Sequence, residues 1–303
     1  MSIRPALTTS SATPTIEGAG VQLHRAFGFN SPETHDPFLL FDDFRNDSPE
    51  SYLAGFPWHP HRGIETITYV LSGSVTHSDS LGNSGTLTNG DVQWMTAGSG
   101  IMHQEMPTGN ARGQMHGFQL WANLPGYLKM TTPRYQDVQS KDISEIIDDD
   151  GTKVKVITGK FWGRKGPVDG IAADPLYLDI SVPAGRRKSF KVDTYRNTFA
   201  YIFDGEGKFA DASTPKGILL EKEVLGQELN IRDMSGNRTL VKFGTGNEIV
   251  VQAGQLGIRF LLIAGTPIQE PIAWHGPIVM NSQEELRTAI NELRNDMFIK
   301  PQQ

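Results

Sequence analysis

Short β-prone runs separated by glycine-containing turns extend along most of the 303-residue chain and limit its fold more than any other feature. The main runs lie at 36–44, 65–79, 84–98, 113–125, 175–185, 198–209 and 247–265. The tetrapeptide Thr-Asn-Gly-Asp at 88–91, within the run at 84–98, is a strong turn signal. The 32 glycines and 18 prolines are scattered without a period, which favours many short strands over long helices or collagen. The sequence therefore predicts an all-β protein.

The runs fall into two sets, and this division predicts two domains. A chain of this length has enough residues for two ordinary hydrophobic cores. The polar, acidic segment 140–159 separates the sets, so we place the boundary between domains 1–139 and 140–303. "TYVLSGSV" at 68–75 resembles "AYIFDGEG" at 200–207, which indicates an internal duplication.

An amphipathic segment at 281–296 predicts an α-helix near the end of the chain. Ser282 and Glu285 have the spacing of a capping box. Four apolar residues recur at helical spacing, namely Leu286, Ala289, Ile290 and Leu293. We expect one face of this helix to cover part of the second β domain, and we assign no chemistry to it.

Composition excludes several classes of function. The net charge of −6 provides no basic surface for phosphates, so we expect no direct nucleic-acid binding. The chain has no cysteine, which excludes disulfides, thiolate catalysis and thiolate metal sites. Neither a signal-peptide stretch nor an apolar run of about 18 residues is present, so we expect no membrane association. We predict a cytoplasmic location, with the nucleus as the alternative.

Two pairs of candidate metal ligands share one spacing. His59 and His61 are two residues apart, and His103 and Glu105 repeat that spacing later in the same set of runs. Alternate residues of a strand face the same side, so each pair projects from one face of its strand. Hairpins between the pairs allow both to meet inside one barrel. The pattern predicts a metal site of three imidazoles and one carboxylate.

The residue pattern decides neither the identity of the metal nor which glutamate is its carboxylate ligand. Imidazole and carboxylate suit Fe(II), Mn(II), Ni(II), Cu(II) or Zn(II). Four ligands would leave two positions open on an octahedral metal, whereas tetrahedral zinc would be closed and inert. In a continuous strand Glu65 would face the same side as His59 and His61. The periodicity therefore does not decide whether Glu65 or Glu105 is the carboxylate ligand. The other role of Glu65 is that of a hydrogen-bond acceptor that orients a ligand histidine.

The remaining histidines stand alone. An isolated His-Pro-His is more often a turn with one packed histidine than a pair of ligands, and the second pair at 103–105 is what favours a metal. We expect a solvated strand position for His77 and a packed or pocket-edge position for His116. His24, His35 and His275 receive no assignment.

The segments "HPHRGIETITYVLSG" (59–73) and "GDVQWMTAGSGIMHQE" (90–105) resemble the pirin family of the cupin superfamily. The resemblance extends to 36–44, 119–125, 133–136 and 275–286, and so covers nearly the whole chain. It implies two cupin domains, which are jelly-roll β-barrels packed face to face, with a C-terminal helix. It also implies one metal, usually iron, in the N-terminal barrel and none in the C-terminal barrel. No histidine lies between Leu178 and Ile263, which agrees with a structural second barrel.

The resemblance further implies which side chains bind the metal. The ligands of pirins correspond here to His59, His61, His103 and Glu105. Cupins in general more often take their carboxylate from the first motif, where Glu65 stands. The spacing from Glu65 to Gly73 is one residue longer than in that pattern, so the resemblance favours Glu105.

Two functions follow from the resemblance. The first is a quercetin 2,3-dioxygenase, in which O2 adds across the heterocyclic ring of a flavonol with release of carbon monoxide. Glu105 would be catalytic by holding the proton removed from the substrate, and Phe56, Trp58 and Met106 would supply apolar pocket walls. The second is a regulator without turnover, whose metal senses redox state and which binds a transcription factor or signalling protein. The sequence shows no docking motif for such a partner.

Overall fold

The computed structural model describes residues 2–30, 32–168, 172–209 and 234–300. Within these ranges the chain forms mostly β-strands, with an α-helix near its end, as predicted. The strands of the first half are β1 (Ala6–Ser11), β2 (Thr13–Glu17), β3 (Val21–Phe27), β4 (Phe38–Asp43), β5 (Phe56–His61), β6 (Ile64–Ser72), β7 (Ser74–Asp79), β8 (Ser84–Leu87), β9 (Val92–Thr96), β10 (Ile101–Thr108), β11 (His116–Asn123) and β12 (Arg134–Val138).

The remaining strands and the helix follow in the second half. They are β13 (Ser144–Ile147), β14 (Lys153–Thr158), β15 (Lys160–Phe161), β16 (Arg164–Lys165), β17 (Leu176–Val182), β18 (Arg187–Lys191), β19 (Asn197–Phe209), β20 (Ser235–Gly236), β21 (Thr239–Phe243), β22 (Glu248–Gly265), β23 (Ala273–His275), β24 (Ile278–Met280) and α1 (Gln283–Arg294). In the described ranges no helix is long and apolar enough to cross a bilayer.

The chain divides into two compact units. The first unit comprises Thr13–Ile143, Pro167–Asp174 and Pro267–Gln303. The second unit comprises Met1–Ala12, Ser144–Gly166 and Pro175–Thr266. These units differ from the predicted division at residue 139 because segments from both ends of the chain lie in the other unit. Strand β1 pairs with β21 of the second unit, and the C-terminal segment belongs to the first.

Two antiparallel sheets form the barrel of the first unit. One has seven strands in the order β12-β9-β6-β11-β4-β3-β2, and the other has four in the order β5-β10-β7-β8. Apolar residues from both sheets, including Leu23 of β3 and Val75 of β7, pack between them. The predicted ligands lie on β5 and β10, so the four-stranded sheet carries the candidate site.

A nine-stranded antiparallel sheet forms the barrel of the second unit. Its main order is β1-β21-β19-β22-β17-β14-β13, with β18 on β22 and β20 on β19. The long strands β19 and β22 correspond to the predicted runs at 198–209 and 247–265. Their inward side chains form a buried apolar cluster rich in phenylalanine. The two barrels agree with the predicted pair of cupin domains.

Helix α1 begins with the predicted capping box. Ser282 Oγ accepts a hydrogen bond from the Glu285 backbone N–H, and Glu285 accepts one from the Ser282 backbone N–H. Leu286 and Ala289 are buried against β23, β24 and Phe298. The helix therefore packs on the first unit and not, as the sequence led us to expect, on the second. The reason is the β23–β24 hairpin, which belongs to the first unit and supplies the apolar surface that the helix covers.

Candidate metal centre

Three of the four predicted ligands converge in the first unit. His59 and His61 lie on β5, and His103 lies on the neighbouring strand β10 as the direct cross-strand partner of His59. One ring nitrogen from each histidine lies within 4.8 Å of the others. The ring centroid of His103 is 4.3 Å from that of His59 and 4.9 Å from that of His61. The i, i+2 spacing on two paired strands thus brings the three imidazoles together.

Burial favours the neutral form of these rings. Loss of hydration is the largest cause that lowers the pKa of His59, and it lowers the pKa of His61 and His103 well below the usual value. The neighbouring imidazoles lower the pKa of His61 and His103 further, because two positive charges at this distance repel. Neutral imidazole is the form that binds a metal.

The hydrogen bonds of the first two histidines determine which nitrogen is protonated. His59 Nδ1 lies 2.8 Å from the carbonyl oxygen of Pro57, and His61 Nδ1 lies 3.2 Å from that of Pro277. A carbonyl oxygen only accepts, so in the neutral rings Nδ1 carries the proton and Nε2 presents its lone pair. The two Nε2 atoms are 3.1 Å apart. Lone pairs at this distance repel unless a cation lies against both, so the pair fits a metal ion.

The third histidine provides an independent test of this fit. His103 is fully buried, and its Nε2 has no hydrogen-bond partner among the described residues. A buried nitrogen without a partner costs about 1–3 kcal/mol, which metal coordination would offset. Three neutral imidazole nitrogens are suitable ligands for a divalent metal of the first transition row. The chemistry of the donor set therefore fits the metal that the sequence predicts.

Glu105 lies beside the three histidines but outside their nitrogen cluster. It follows His103 by two residues on β10, and it lines a cavity that His59 and His61 also line. A bulge in the pairing of β10 with β5 places it opposite Phe56. Burial raises the pKa of Glu105 to about 7, and a hydrogen bond from the Thr68 hydroxyl partly opposes that rise. The Thr68 Oγ1 to Glu105 Oε1 distance is 2.9 Å. Glu105 is thus a buried carboxyl group able to exchange a proton near neutral pH.

A second polar side chain extends this contact. The Thr68 hydroxyl also lies 2.7 Å from the side-chain amide of Gln119, which lines the cavity. One hydroxyl donates one proton, so when Thr68 donates to Glu105 the amide of Gln119 turns its NH2 toward Thr68. Gln119, Thr68 and Glu105 then form a chain that holds one oxygen of the carboxylate in place.

Glu65 points to the opposite face of its sheet. Strand β5 ends at His61 in the four-stranded sheet, and β6 starts in the seven-stranded sheet after a turn at Gly63 with φ of 75°. The alternation of side-chain directions does not continue through such a turn. The expectation that Glu65 faces the same side as the histidines is therefore wrong. Thr68 lines the cavity, and Glu65, three residues earlier on β6, faces away from it. Glu65 accepts a hydrogen bond from the Thr96 hydroxyl at 2.7 Å, and none from a histidine in the part of the chain that the structure describes.

His77 does not occupy the solvated position that the sequence led us to expect. Its side chain is fully buried on β7, the strand that pairs with β10 on the side away from β5. Its Nδ1 lies 3.4 Å from Nδ1 of His103, and its ring stacks on Tyr135 with centroids 5.0 Å apart. The sequence held a signal for this position, because His77 and Asp79 repeat the i, i+2 spacing of the predicted ligand pairs.

A cavity of about 460 Å³ opens beside the histidines between the two sheets of the first unit. Phe56 and Trp58 line it, as predicted. Met106 does not, because it is adjacent to Glu105 on β10 and so projects from the other face of the strand. The cavity is mainly apolar, with Thr68, Glu105 and Gln119 as polar groups near the histidines. It has the size and lining of a site for a small organic ligand.

Buried cationic groups fix the turn that follows His61. The ammonium group of Lys129 donates to the carbonyl oxygens of Gly63 and Val279 at 2.9 Å and to the side chain of Asn123 at 2.8 Å. The guanidinium group of Arg62 donates to Glu292 of α1 at 2.7 Å. These contacts hold the end of β5 against the C-terminal segment of the first unit. Sequence analysis missed them because most of them join residues far apart in the chain.

The other histidines lie apart from the cluster. His116 is partly buried, and its Nε2 lies 2.6 Å from Asp47 Oδ1. It does not line the cavity. His35 stacks on Phe27 with ring centroids 4.0 Å apart, and His275 is exposed.

Comparison with known proteins identifies the family. The family model for pirin matches residues 20–122, and the model for the pirin C-terminal cupin domain matches residues 177–299. A pirin-like protein of Caulobacter vibrioides is 40% identical over 299 residues, which are 98% of this chain and 100% of that protein. Human pirin is 37% identical over 281 residues, covering 92% of this chain and 88% of its own.

Solved structures agree with this assignment. A crystal structure of quercetin 2,3-dioxygenase from Acinetobacter baumannii matches with a TM-score of 0.83 at 30% identity and covers 98% of both chains. The structure of the Escherichia coli pirin YhhW in complex with nickel(II) matches with a TM-score of 0.63 at 18% identity, covering 86% of this chain and 99% of that one. At this identity the match shows similarity of fold alone. By sequence and by fold, the chain belongs to the pirin family of bicupin proteins.

Proposed function

We propose that this protein is a metal-dependent quercetin 2,3-dioxygenase, which uses O2 to open the heterocyclic ring of a flavonol. One observation carries the proposal: three imidazoles have converging nitrogens, and two of them, His59 and His61, line a largely apolar cavity of about 460 Å³. A flat aromatic substrate of roughly drug-like size suits such a cavity. The similarity to the Acinetobacter baumannii enzyme supports this choice of reaction.

The proposed ligands are His59, His61, His103 and Glu105. The proposed metal is iron(II), with manganese, nickel, copper and zinc as alternatives. Nickel(II) in the solved Escherichia coli pirin supports a divalent metal at this type of site. When bound, the metal would supply a Lewis-acid and redox centre beside the cavity.

The remaining chemistry belongs to the side chains. Glu105 would accept the proton of a flavonol hydroxyl and return it to the product. Thr68 donates a hydrogen bond to Glu105 Oε1 and so orients the carboxyl group. Phe56 and Trp58 supply apolar surface for the aromatic rings and reduce the access of water.

An assay with quercetin tests the reaction. Metal-loaded protein in air should consume quercetin, seen as loss of its absorbance, and release one carbon monoxide per quercetin. The controls are metal-free protein and the variant His275→Ala, which removes an exposed histidine outside the cluster and should retain the wild-type rate. A rate no higher than that of the metal-free control would contradict the proposal. Metal binding without turnover would then favour the regulatory alternative.

Elemental analysis tests the ligand set separately. We expect about one divalent metal per chain, bound in the first unit and absent from the second. His61→Ala should reduce occupancy at least about tenfold, because it removes one of few ligands. His275→Ala should keep full occupancy. Full occupancy in His61→Ala, or a second metal in the second unit, would contradict the ligand set.

A further inference from the structure

The side of His103 that faces away from the cluster is in contact with a second, buried histidine. His77 lies on β7, where it is the cross-strand neighbour of Glu105, and no part of its side chain is exposed. Its Nδ1 lies 3.4 Å from His103 Nδ1, and its Nε2 lies 3.4 Å from Asp79 Oδ2. The three side chains therefore form a line from a carboxylate through His77 to a proposed metal ligand.

The position of Asp79 is fixed by other donors. Its Oδ1 accepts from the backbone N–H groups of Leu81 at 2.9 Å and Asn83 at 3.0 Å, and its Oδ2 accepts from the Asn83 side chain at 2.9 Å. A carboxylate held by donors in this way only accepts, so the His77 nitrogen that faces it carries the proton. That nitrogen is Nε2, and a neutral His77 therefore presents a lone pair at Nδ1.

The lone pair of His77 determines the tautomer of His103. Two Nδ1 atoms at 3.4 Å interact favourably when one donates and the other accepts. Since His77 Nδ1 accepts, His103 Nδ1 carries the proton, and His103 Nε2 presents its lone pair. This Nε2 is the buried nitrogen that has no hydrogen-bond partner among the described residues.

We infer that His77, held by Asp79, is a positioning residue that fixes the tautomer and orientation of His103. The inference rests on the proposed function only in taking His103 as a metal ligand. His77 does not line the cavity, so it acts through His103 and not on the substrate. It performs for His103 the task that the carbonyl groups of Pro57 and Pro277 perform for His59 and His61.

The competing explanation is that His77 is only a packing residue. Its ring stacks on Tyr135 at an interplanar angle of 27°, and phenylalanine would preserve that stacking. His77→Phe therefore removes the hydrogen bonds and keeps the shape. His77→Asn is the matched rescue, because the amide oxygen of Asn can take the place of Nδ1 as acceptor. The two explanations predict opposite results for this pair of variants.

Metal affinity is the first measurement. Nickel(II) affinity, measured on the full chain by competition with a chelator, should fall about 10- to 100-fold in His77→Phe, as for the loss of other hydrogen-bond partners of metal ligands. His77→Asn should stay within about threefold of the wild type. A His77→Phe variant that folds and binds nickel like the wild type would overturn the inference, as would equal losses in both variants.

The second measurement needs no variant and no activity. Nitrogen-15 NMR of wild-type protein, metal-free and zinc-loaded, reports which ring nitrogen of His103 carries the proton. We expect Nδ1 in both samples, and a proton on Nε2 of metal-free His103 would overturn the inference even if His77→Phe fails to fold. Absence of metal binding by the wild type would refute the proposed function, while the metal-free spectrum would still decide the role of His77.

Discussion

The two barrels have related strands but opposite interiors. In the second unit the interior is filled by packed aliphatic and aromatic side chains, with Phe260 in edge contact with Phe190 at 5.9 Å and with Phe209 at 5.5 Å between ring centroids. In the first unit the corresponding space holds three histidines and a cavity of about 460 Å³. The strand order alone does not decide whether such a barrel has a packed apolar core or a ligand-binding site. The side chains inside the barrel decide it.

The similar segments of the two units differ in their side chains more than in the path of the backbone. "TYVLSGSV" (68–75) and "AYIFDGEG" (200–207) each place a glycine after an apolar run, and both Gly73 and Gly205 have positive φ, 83° and 65°. A Cβ atom at Gly73 would lie 2.7 Å from the carbonyl oxygen of Thr108. The glycines are therefore required by the turn in the first unit and by a close approach of strands in the second.

The largest effect on stability is expected where the interior is filled. Phe260→Ala should lower the free energy of unfolding of the second unit by about 4 kcal/mol, because it leaves a cavity among packed rings. Chemical denaturation followed by fluorescence measures the change. Leu256→Ala, on the same strand but 90% exposed, is the control and should change stability by less than about 0.5 kcal/mol. A loss below about 1 kcal/mol for Phe260→Ala would show that this interior is not tightly packed.

A smaller effect, visible as pH dependence, is expected from the buried carboxyl groups of the first unit. Burial raises the pKa of Glu65 from 4.5 to about 7, with the hydrogen bond from the Thr96 hydroxyl opposing the rise. The folded state then binds more protons than the unfolded state, so stability falls as pH rises from about 4.5 through about 7. Glu65→Gln should therefore stabilise the metal-free protein by about 2 kcal/mol at high pH and leave it unchanged at low pH.

Thermal unfolding of the metal-free protein between pH 4 and pH 8 measures this difference. Glu145→Gln, an exposed glutamate on β13 of the second unit, serves as the control and should leave the pH profile unchanged. A profile of Glu65→Gln that runs parallel to the wild type would mean that the pKa of Glu65 is the same in the folded and unfolded states.

The smallest effect on stability is expected at the wall of the cavity. Phe56→Ala should cost about 1 kcal/mol, because the ring is only partly buried and its removal enlarges an existing space. It should weaken quercetin binding about tenfold, measured by fluorescence quenching. Met106→Ala is the matched control, since this side chain projects from the other face of its strand. Equal losses of quercetin binding in the two variants would place the flavonol elsewhere.

Much of the site followed from local regularities of the chain. Side chains alternate along a strand, so the spacing of His59 with His61 and of His103 with Glu105 predicts two pairs that each project from one face of a strand. The same rule applied to His77 with Asp79, or to Met106 beside Glu105, would have placed those residues correctly. The capping box of α1 is local in the same sense and was confirmed. Glu105 as the fourth ligand stays a prediction.

Tertiary structure decided what depends on distant parts of the chain. Glu65 turns away from the histidines because the turn at Gly63 passes the chain from one sheet to the other. Helix α1 covers the first unit because the β23–β24 hairpin joins that unit. By itself the sequence determined the all-β character and the two pairs of candidate ligands, since strand alternation acts over a few residues. The pairing register of the strands, the passage of the chain from one sheet to the other and the hydrogen-bond partners of each ligand depend on contacts between distant residues. No local pattern encodes such contacts.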